Sequence, residues 1–277
     1  VFIGSVFSPY YAWSRRRGRA DPQDHCAVNI ALHGPRGKRW AMTERPRASV
    51  RRFPRTLRIG ASALSWDGNM LTLDIDEVTA PIPSRIRGTV KLYPADLSTR
   101  QIALDPAGIH HWWPIAPSSR VEVELEQPSL RWSGPGYLDS NMGDAPLEDS
   151  FTGWSWSRAK AGERTTVLYD VASRAGADLS LALSFDSAGR VEAFEPPPRR
   201  ALPPTGWRIA RDTRADAGHD PQVLRTLESG PFYARSLLAT RILGEDATAI
   251  HESLSLDRFR SGIVRAMLPF RMPRWPL

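Results

Sequence analysis

Apolar and polar residues alternate with a period of two along much of the chain, in short runs. RIRGTVKLY (85–93) and VEVELEQ (121–127) put their apolar side chains on one face of an extended segment and their polar ones on the other. TTVLYDV (165–171) and LSLALSF (179–185) continue the pattern, and DSAGR then turns the chain into VEAF. RTLRIGASALSW and MLTLDIDEV flank Asp67-Gly68-Asn69, which reads as the turn of a hairpin. AIHESLSLDRF (249–259) is one more alternating strand. PQVLRTLESGPFYARSLLATRI has Pro231 in its middle, which predicts a short turn or helix followed by a strand. The 24 prolines and 20 glycines fall mostly between these runs, where turns are needed.

Many short strands and few helical patterns predict an all-β protein, a sandwich or barrel. At 277 residues the chain can bury a real core and make two such domains. A split near EQPSLRWSGPG (126–136) gives residues 1–130 and 131–277. FEPPPRRALPPTGW (194–207) reads as a long surface loop. No period of a solenoid or propeller repeats, and no run of about 18 apolar residues offers a helix that spans a bilayer. The opening VFIGSVF lacks the basic and small-residue regions of a signal peptide and reads as a strand entered partway, as in an N-terminally truncated domain.

Charge changes this picture little. The net charge is +7, nearly all of it arginine, since the only lysines are Lys38, Lys91 and Lys160. Such a balance raises nucleic acid or an anionic membrane as partners. The clusters Arg15 to Arg19 and Arg51 to Arg58 carry no zinc-ligand spacing, RNA-binding aromatic signature or helix-turn-helix pattern, so no nucleic-acid partner is expected. The single cysteine, Cys26, excludes an internal disulfide and any multi-cysteine metal site, and reads as a buried thiol.

Nucleotide-binding glycine motifs, a GxSxG elbow and HExxH are all missing. What stands out is IHHWWP (109–114) and GPGYLDSNMGDAPLEDSFTGWSWSRA (134–159), where four carboxylates lie among aromatics. Adjacent histidines diverge in a strand, so His110 and His111 do not make a metal site, and one of them suits proton handling or hydrogen bonding. Trp112 and Trp113 either fill a barrel end or turn an indole face to a developing cation. Tyr137 and Asp139, two apart, share one face of an extended segment. Asp144 reads as a turn residue, while Asp139 reads equally as a turn residue or as a buried acid, which desolvation would keep protonated. Glu148 and Asp149 are expected to pair with Arg158 or with strand backbone. Trp154 and Trp156 share a strand face, with core packing as their default role.

GSVFSPYYAWS, DHCAVNIALHGPRGKRWAMTER, IHHWWP, GYLDSNMGDAPLEDSFTGWSWSRA, GPFYARSLLATR and LPFRMPR together resemble the carotenoid 1,2-hydratases (hydroxyneurosporene synthases) of photosynthetic bacteria, over nearly the whole chain. The resemblance implies two lipocalin-like antiparallel β domains, related to the AttH-like group. It implies cofactor-independent addition of water to the terminal 1,2 double bond of an acyclic carotene such as neurosporene or lycopene. The family's acid-catalysis residues fall here on His110, Trp112, Tyr137 and Asp139, with His110 preferred to His111 and Trp112 to Trp113. Asp139 would protonate C2, helped by His110 or Tyr137, and Trp112 and Tyr137 would face the charge at C1. A substrate held in a bilayer implies peripheral membrane association on the cytoplasmic side. The C-terminal RFRSGIVRAMLPFRMPRWPL, with five arginines among apolar residues and Trp275, is a candidate interfacial anchor or a tail packed on the barrel. Two rivals remain on the same scaffold: an isomerase or cyclase of another polyene, and a non-catalytic lipid carrier.

Overall fold

The computed structural model describes residues 1–19, 21–34 and 37–274. It is all-β, built from antiparallel sheets with a few short helices, as the alternating pattern predicts. The chain divides into two compact units that interleave in sequence. The first holds Val1–Pro94, Arg120–Gly136 and Arg265–Leu277, and the second holds Ala95–Ser119 and Tyr137–Val264.

In the first unit, β1 (Phe2–Ile3), β2 (Cys26–Gly34) and β3 (Gly37–Arg45) form a three-stranded sheet, with helix α1 (Pro9–Arg16) between β1 and β2. A larger sheet starts with β4 (Val50–Phe53), β5 (Thr56–Ile59), β6 (Ser62–Trp66), β7 (Leu71–Val78) and β8 (Arg85–Pro94), paired in sequence order. It continues through two long strands, β10 (His110–Gln127) and β11 (Leu130–Gly143), whose residues 120–127 and 130–136 belong to this unit; residues 110–119 and 137–143, with the two-residue β9 (Ile102–Ala103) that pairs the start of β10, belong to the second. RTLRIGASALSW is therefore two strands rather than one. The break is at Gly60, whose φ of +61° only glycine adopts readily and where a Cβ would press on the Arg45 side chain. Ala41, Ile75, Ile86, Val123 and Leu125 form the main core cluster of this unit. Cys26 is fully buried beside Val28 and Ile59, and burial pushes its thiol up to about 11, which makes it inert at neutral pH.

The second unit is organised on a seven-stranded sheet. Its strands are β12 (Phe151–Ala161), β13 (Arg164–Ser173), β14 (Leu179–Phe185), β15 (Val191–Ala193), β18 (Gln222–Ser229), β19 (Tyr233–Ile242) and β20 (Glu245–Ser255). Their order is β15-β14-β13-β12-β20-β19-β18, with β12 at the centre. The PQVLRTLES segment is strand β18, not a helix. Gly230, Pro231 and Phe232 close a hairpin to β19, with the Gly230 N–H donating to the Tyr233 carbonyl at 2.8 Å. Strand β20 stops at Ser255, whose hydroxyl caps the single-turn helix α3 (Leu256–Phe259), so AIHESLSLDRF is a strand only through Ser255. The proline-rich stretch also holds more than a loop: β16 (Arg199–Leu202) pairs with β17 (Arg211–Arg214). Helix α2 (Leu147–Ser150) leads into β12, and α4 (Gly262–Arg271) follows α3.

Register gives this sheet two chemically different faces. On one, Ser155, Ser253, His251, Ser236 and Asp170 are buried, and the β16–β17 hairpin covers them. There the Ser155 hydroxyl donates to the Asp212 carbonyl at 2.6 Å, and Arg214 grips Asp170 through Nε and Nη2, both 2.8 Å from its oxygens. On the other face one cross-strand row reads Tyr169, Trp156, Glu252, Arg235, and the next reads Val171, Trp154, Leu254, Tyr233. That aromatic and charged face carries the candidate chemistry. His251 and Glu252, neighbours in sequence, point to opposite faces.

Candidate active site

All four residues singled out from the sequence lie in the second unit. At the start of β10 the burial alternates: His110 and Trp112 are 2% and 0% exposed, while His111 and Trp113 are half-buried on the opposite face. The pairing of His111 with Ala103 and of Trp112 with Ile102 pins that alternation. Asp139 sits inside strand β11 rather than in a turn, on the same face as Tyr137.

Three of the four meet at one atom. The Trp112 Nε1–H donates to Asp139 Oδ2 at 2.9 Å, and the Tyr137 hydroxyl donates to the same oxygen at 3.2 Å. Neither bond involves Oδ1. Asp139 keeps some exposed surface, but its carboxyl is enclosed, and burial raises its pKa above the usual carboxylate range. The two hydrogen bonds pull the other way, the negative charge of Glu252 pushes further up, and Arg158 opposes it least strongly. Burial also pushes Tyr137 well above the ordinary phenol value, with Asp139 adding to it, so the phenol stays a neutral donor.

Aromatic rings surround this carboxyl. Tyr137 packs on Trp156 at 5.5 Å between centroids, and Trp112 meets Tyr169 edge-on at 5.6 Å. Trp154 also meets Tyr169 edge-on, with 6.3 Å between centroids. The Arg158 guanidinium lies 5.3 Å from the Tyr137 ring centre. Behind Trp156, Arg235 binds Glu252 through Nε and Nη2 at 2.9 and 2.7 Å.

His110 stands apart from this cluster. Its Nε2 pairs with Ser150 Oγ at 3.0 Å, its ring packs on Phe151 at 5.0 Å, and its backbone N–H donates to Asp105 at 2.7 Å. No hydrogen bond joins it to Asp139 among the described residues. Burial lowers its pKa, so it is a neutral imidazole at neutral pH rather than an acid. Gly143 makes room for it, because a Cβ there would collide with Nδ1. Asp144 lies in the bend after β11 and is exposed, as a turn residue should be.

The sequence reading did not single out Tyr169, Tyr233, Arg235 or Glu252. Each sits in an alternating run, and only cross-strand register brings them beside Trp156. Among the described residues, no group of three or more His, Cys, Asp or Glu side chains is placed to hold a metal ion. A cavity of about 610 Å³ lies in the first unit, lined by Tyr10, Trp13, His25 and four arginines among others, and none of the four candidate residues lines it.

An enclosed carboxyl with two neutral donors on one oxygen and π faces around it defines a class: an all-β protein equipped for acid chemistry on an apolar, electron-rich substrate. The sequence itself then supplies the family. The profile described as "Carotenoid hydratase CrtC" matches residues 1–276, and the chain belongs to that family. An acyclic carotenoid 1,2-hydratase of Thiocapsa roseopersicina is 62% identical over 275 residues, 99% of this chain and 68% of that protein. The Rubrivivax gelatinosus protein of the same name is 50% identical over 99% of this chain and 68% of its own length. That of Cereibacter sphaeroides is 40% identical over 99% of this chain and 97% of its own.

Proposed function

We propose that this chain is an acyclic carotenoid 1,2-hydratase, adding water across the terminal 1,2 double bond of an acyclic carotene such as neurosporene or lycopene to give a tertiary alcohol. The family membership supports the reaction class. The observation that carries the chemistry is the Asp139 carboxyl, enclosed among aromatic rings with Trp112 and Tyr137 both donating to Oδ2.

Hydrating a trisubstituted alkene starts with proton transfer to carbon, and that demands a strong acid still protonated when substrate arrives. Enclosure raises the Asp139 pKa and so favours the protonated carboxyl. With Oδ2 taken up as the acceptor of two hydrogen bonds, the acidic proton resides on Oδ1 and passes to C2. The π electrons form the new C–H bond, leaving a tertiary cation at C1. As the carboxylate forms, the bonds from Trp112 and Tyr137 become charge-assisted and strengthen, which favours the transition state over the ground state. The Arg158 charge favours the carboxylate in the same way. Trp112, Trp156, Tyr137 and Tyr169 offer ring faces and edges around the cation. Water then attacks C1, and the oxygen loses a proton. His110, bonded to Ser150, shapes the neighbouring wall of the site.

The substrate is a long polyene dissolved in lipid, so the enzyme works at a bilayer surface on this reading. Helix α4 supports it. Val264 and Leu268 are buried on one side, whereas Ile263, Met267 and Phe270, at i, i+4 and i+7, are 78%, 38% and 74% exposed. Arg265 and Arg271 lie on the same helix, a mix that suits an anionic interface. Trp275, the last aromatic of the expected anchor, lies outside the described residues. No helix among the described residues is long and apolar enough to cross a membrane.

The test is expression in cells that accumulate lycopene, with products analysed by mass and retention after growth in ¹⁸O-labelled water. The account expects one or two added waters carrying the label at the tertiary carbon. A product isomeric with lycopene, without label, means the cation is quenched by cyclisation or proton loss and refutes the hydratase reading.

A further inference from the structure

We propose that Glu252 is the second working carboxyl of this site, holding the water that attacks C1 and taking the proton which that water loses. The inference rests on Asp139 being the acid, as set out above.

Placement comes first. Glu252 is directly opposite Trp156 in the β12–β20 register, and Arg235 is opposite Glu252 in the β20–β19 register. Residues opposite one another share a sheet face. Glu252 therefore lies on the aromatic face, one strand from the indole that packs against Tyr137.

The two carboxyls are set up for opposite tasks. Asp139 has neutral donors on one oxygen and aromatic walls. Glu252 has a guanidinium, with Arg235 Nε and Nη2 both directed at Oε1, and its charge helps raise the Tyr233 phenol. Arg235 thus fixes the position of the Glu252 carboxyl on this face. An acid walled by aromatic rings beside a carboxyl gripped by arginine is an arrangement in which two carboxyls can take different roles at one site.

The Glu252 side chain keeps 23% of its surface open, so water can reach it, and Asp139 is likewise partly exposed. Between them, the Trp156 indole N–H is enclosed and has no hydrogen-bond partner among the described residues. A water that accepts from this N–H and donates to Glu252 satisfies both groups and stands beside the ring cluster where the cation forms.

The step balances. The Asp139 proton and the alkene π pair make the C2–H bond, a water lone pair makes the C1–O bond, and the resulting oxonium O–H bond breaks with its proton passing to Glu252. Glu252 then loses that proton to solvent and Asp139 regains one, leaving alkene plus water converted to alcohol.

The charged and titratable groups that face the two carboxyls are these. Around Asp139 stand Tyr137, Trp112, Arg158, Tyr169 and the Glu252 charge, and around Glu252 stand Arg235, Tyr233 and, through Arg235, Glu228 at 3.2 Å. The purified full chain should hydrate dispersed lycopene with a bell-shaped pH profile, the alkaline limb from Asp139 and the acid limb from Glu252. Glu252→Gln is expected to lower kcat about 100-fold or more. It should also abolish the acid limb and move the alkaline limb to lower pH, since a negative charge beside Asp139 is gone. Arg235 still has Glu228, so the variant does not strand a cation. Glu252→Asp should keep an acid limb at an intermediate rate, and it serves as the test should the glutamine variant not fold. A Glu252→Gln rate within about twofold of wild type, or a lowered rate with the acid limb intact, overturns the proposal, as does a Glu252→Asp enzyme with unaltered kcat and acid limb. Asp139→Asn, run in parallel, separates the two claims. If it is inactive while Glu252→Gln is not, only the base assignment fails, and if Asp139→Asn is fully active the site reading itself fails.

Discussion

Replacing Trp112 with phenylalanine removes one hydrogen-bond donor from Asp139 Oδ2 while keeping a ring in place. The effect can be worked from the geometry. A neutral N–H on a neutral carboxyl contributes about 1 kcal/mol, and on the carboxylate that proton transfer leaves behind about 1.5 to 3 kcal/mol. The difference, roughly 0.5 to 2 kcal/mol, is transition-state stabilisation alone, so kcat should fall about 2- to 30-fold. Tyr137→Phe removes the other donor and should fall in the same range. Because both donors act on one oxygen, the double variant should deviate from the product of the single losses. Trp112 is fully buried against Tyr169, so the smaller ring also leaves a void, expected to lower stability by about 1 to 3 kcal/mol. Initial rates on dispersed lycopene, with circular dichroism melts to show that each variant is folded, separate the two effects. A folded Trp112→Phe enzyme working within twofold of wild type would show that the indole N–H does not stabilise the developing carboxylate.

Three further outcomes follow from the same structure. Since burial raises the Asp139 pKa above the unfolded value of about 3.9, its contribution to stability is complete below that value and is lost as pH rises through the folded pKa. Asp139→Asn should therefore gain Tm relative to wild type between pH 4 and pH 8, and a constant or shrinking difference contradicts the enclosure. Gly143→Ala should push the His110 ring off Ser150 and lower Tm by several degrees, which differential scanning calorimetry reads directly. Changing Ile263, Met267 and Phe270 together to serine should weaken sedimentation with anionic vesicles while leaving the rate on detergent-dispersed substrate unchanged. Undiminished vesicle binding removes α4 from the membrane contact.

Much of the site was legible in the chain, because it depends on short-range geometry. Tyr137 and Asp139 share a face since they are two apart in a strand, and the same rule separates His110 and Trp112 from their neighbours. Alternation also located most strands. It failed where local pattern was outweighed by something else. Gly60 breaks one apparent strand by its positive φ, and Pro231 lies in a turn, one of the two readings the sequence left open, but with a strand rather than a helix before it. Arg199–Leu202 becomes a strand amid prolines because the Arg211–Arg214 segment pairs with it and both cover a buried polar face. Glu252, Arg235 and Tyr169 were invisible for a different reason. Their meeting with Trp156 depends on the register of four strands spread over residues 151–255, and register between distant strands is set by the whole sheet's packing.

The central claim is that Asp139 gives its proton to carbon. Asp139→Asn keeps the shape and the acceptor oxygen for Trp112 and Tyr137 but has no acidic proton. Measured as purified, folded protein on lycopene, it should form no hydroxylated product above the uncatalysed background, while wild type forms the tertiary alcohol. Product at the wild-type rate from Asp139→Asn would mean the proton comes from elsewhere, and the account of the site would be wrong.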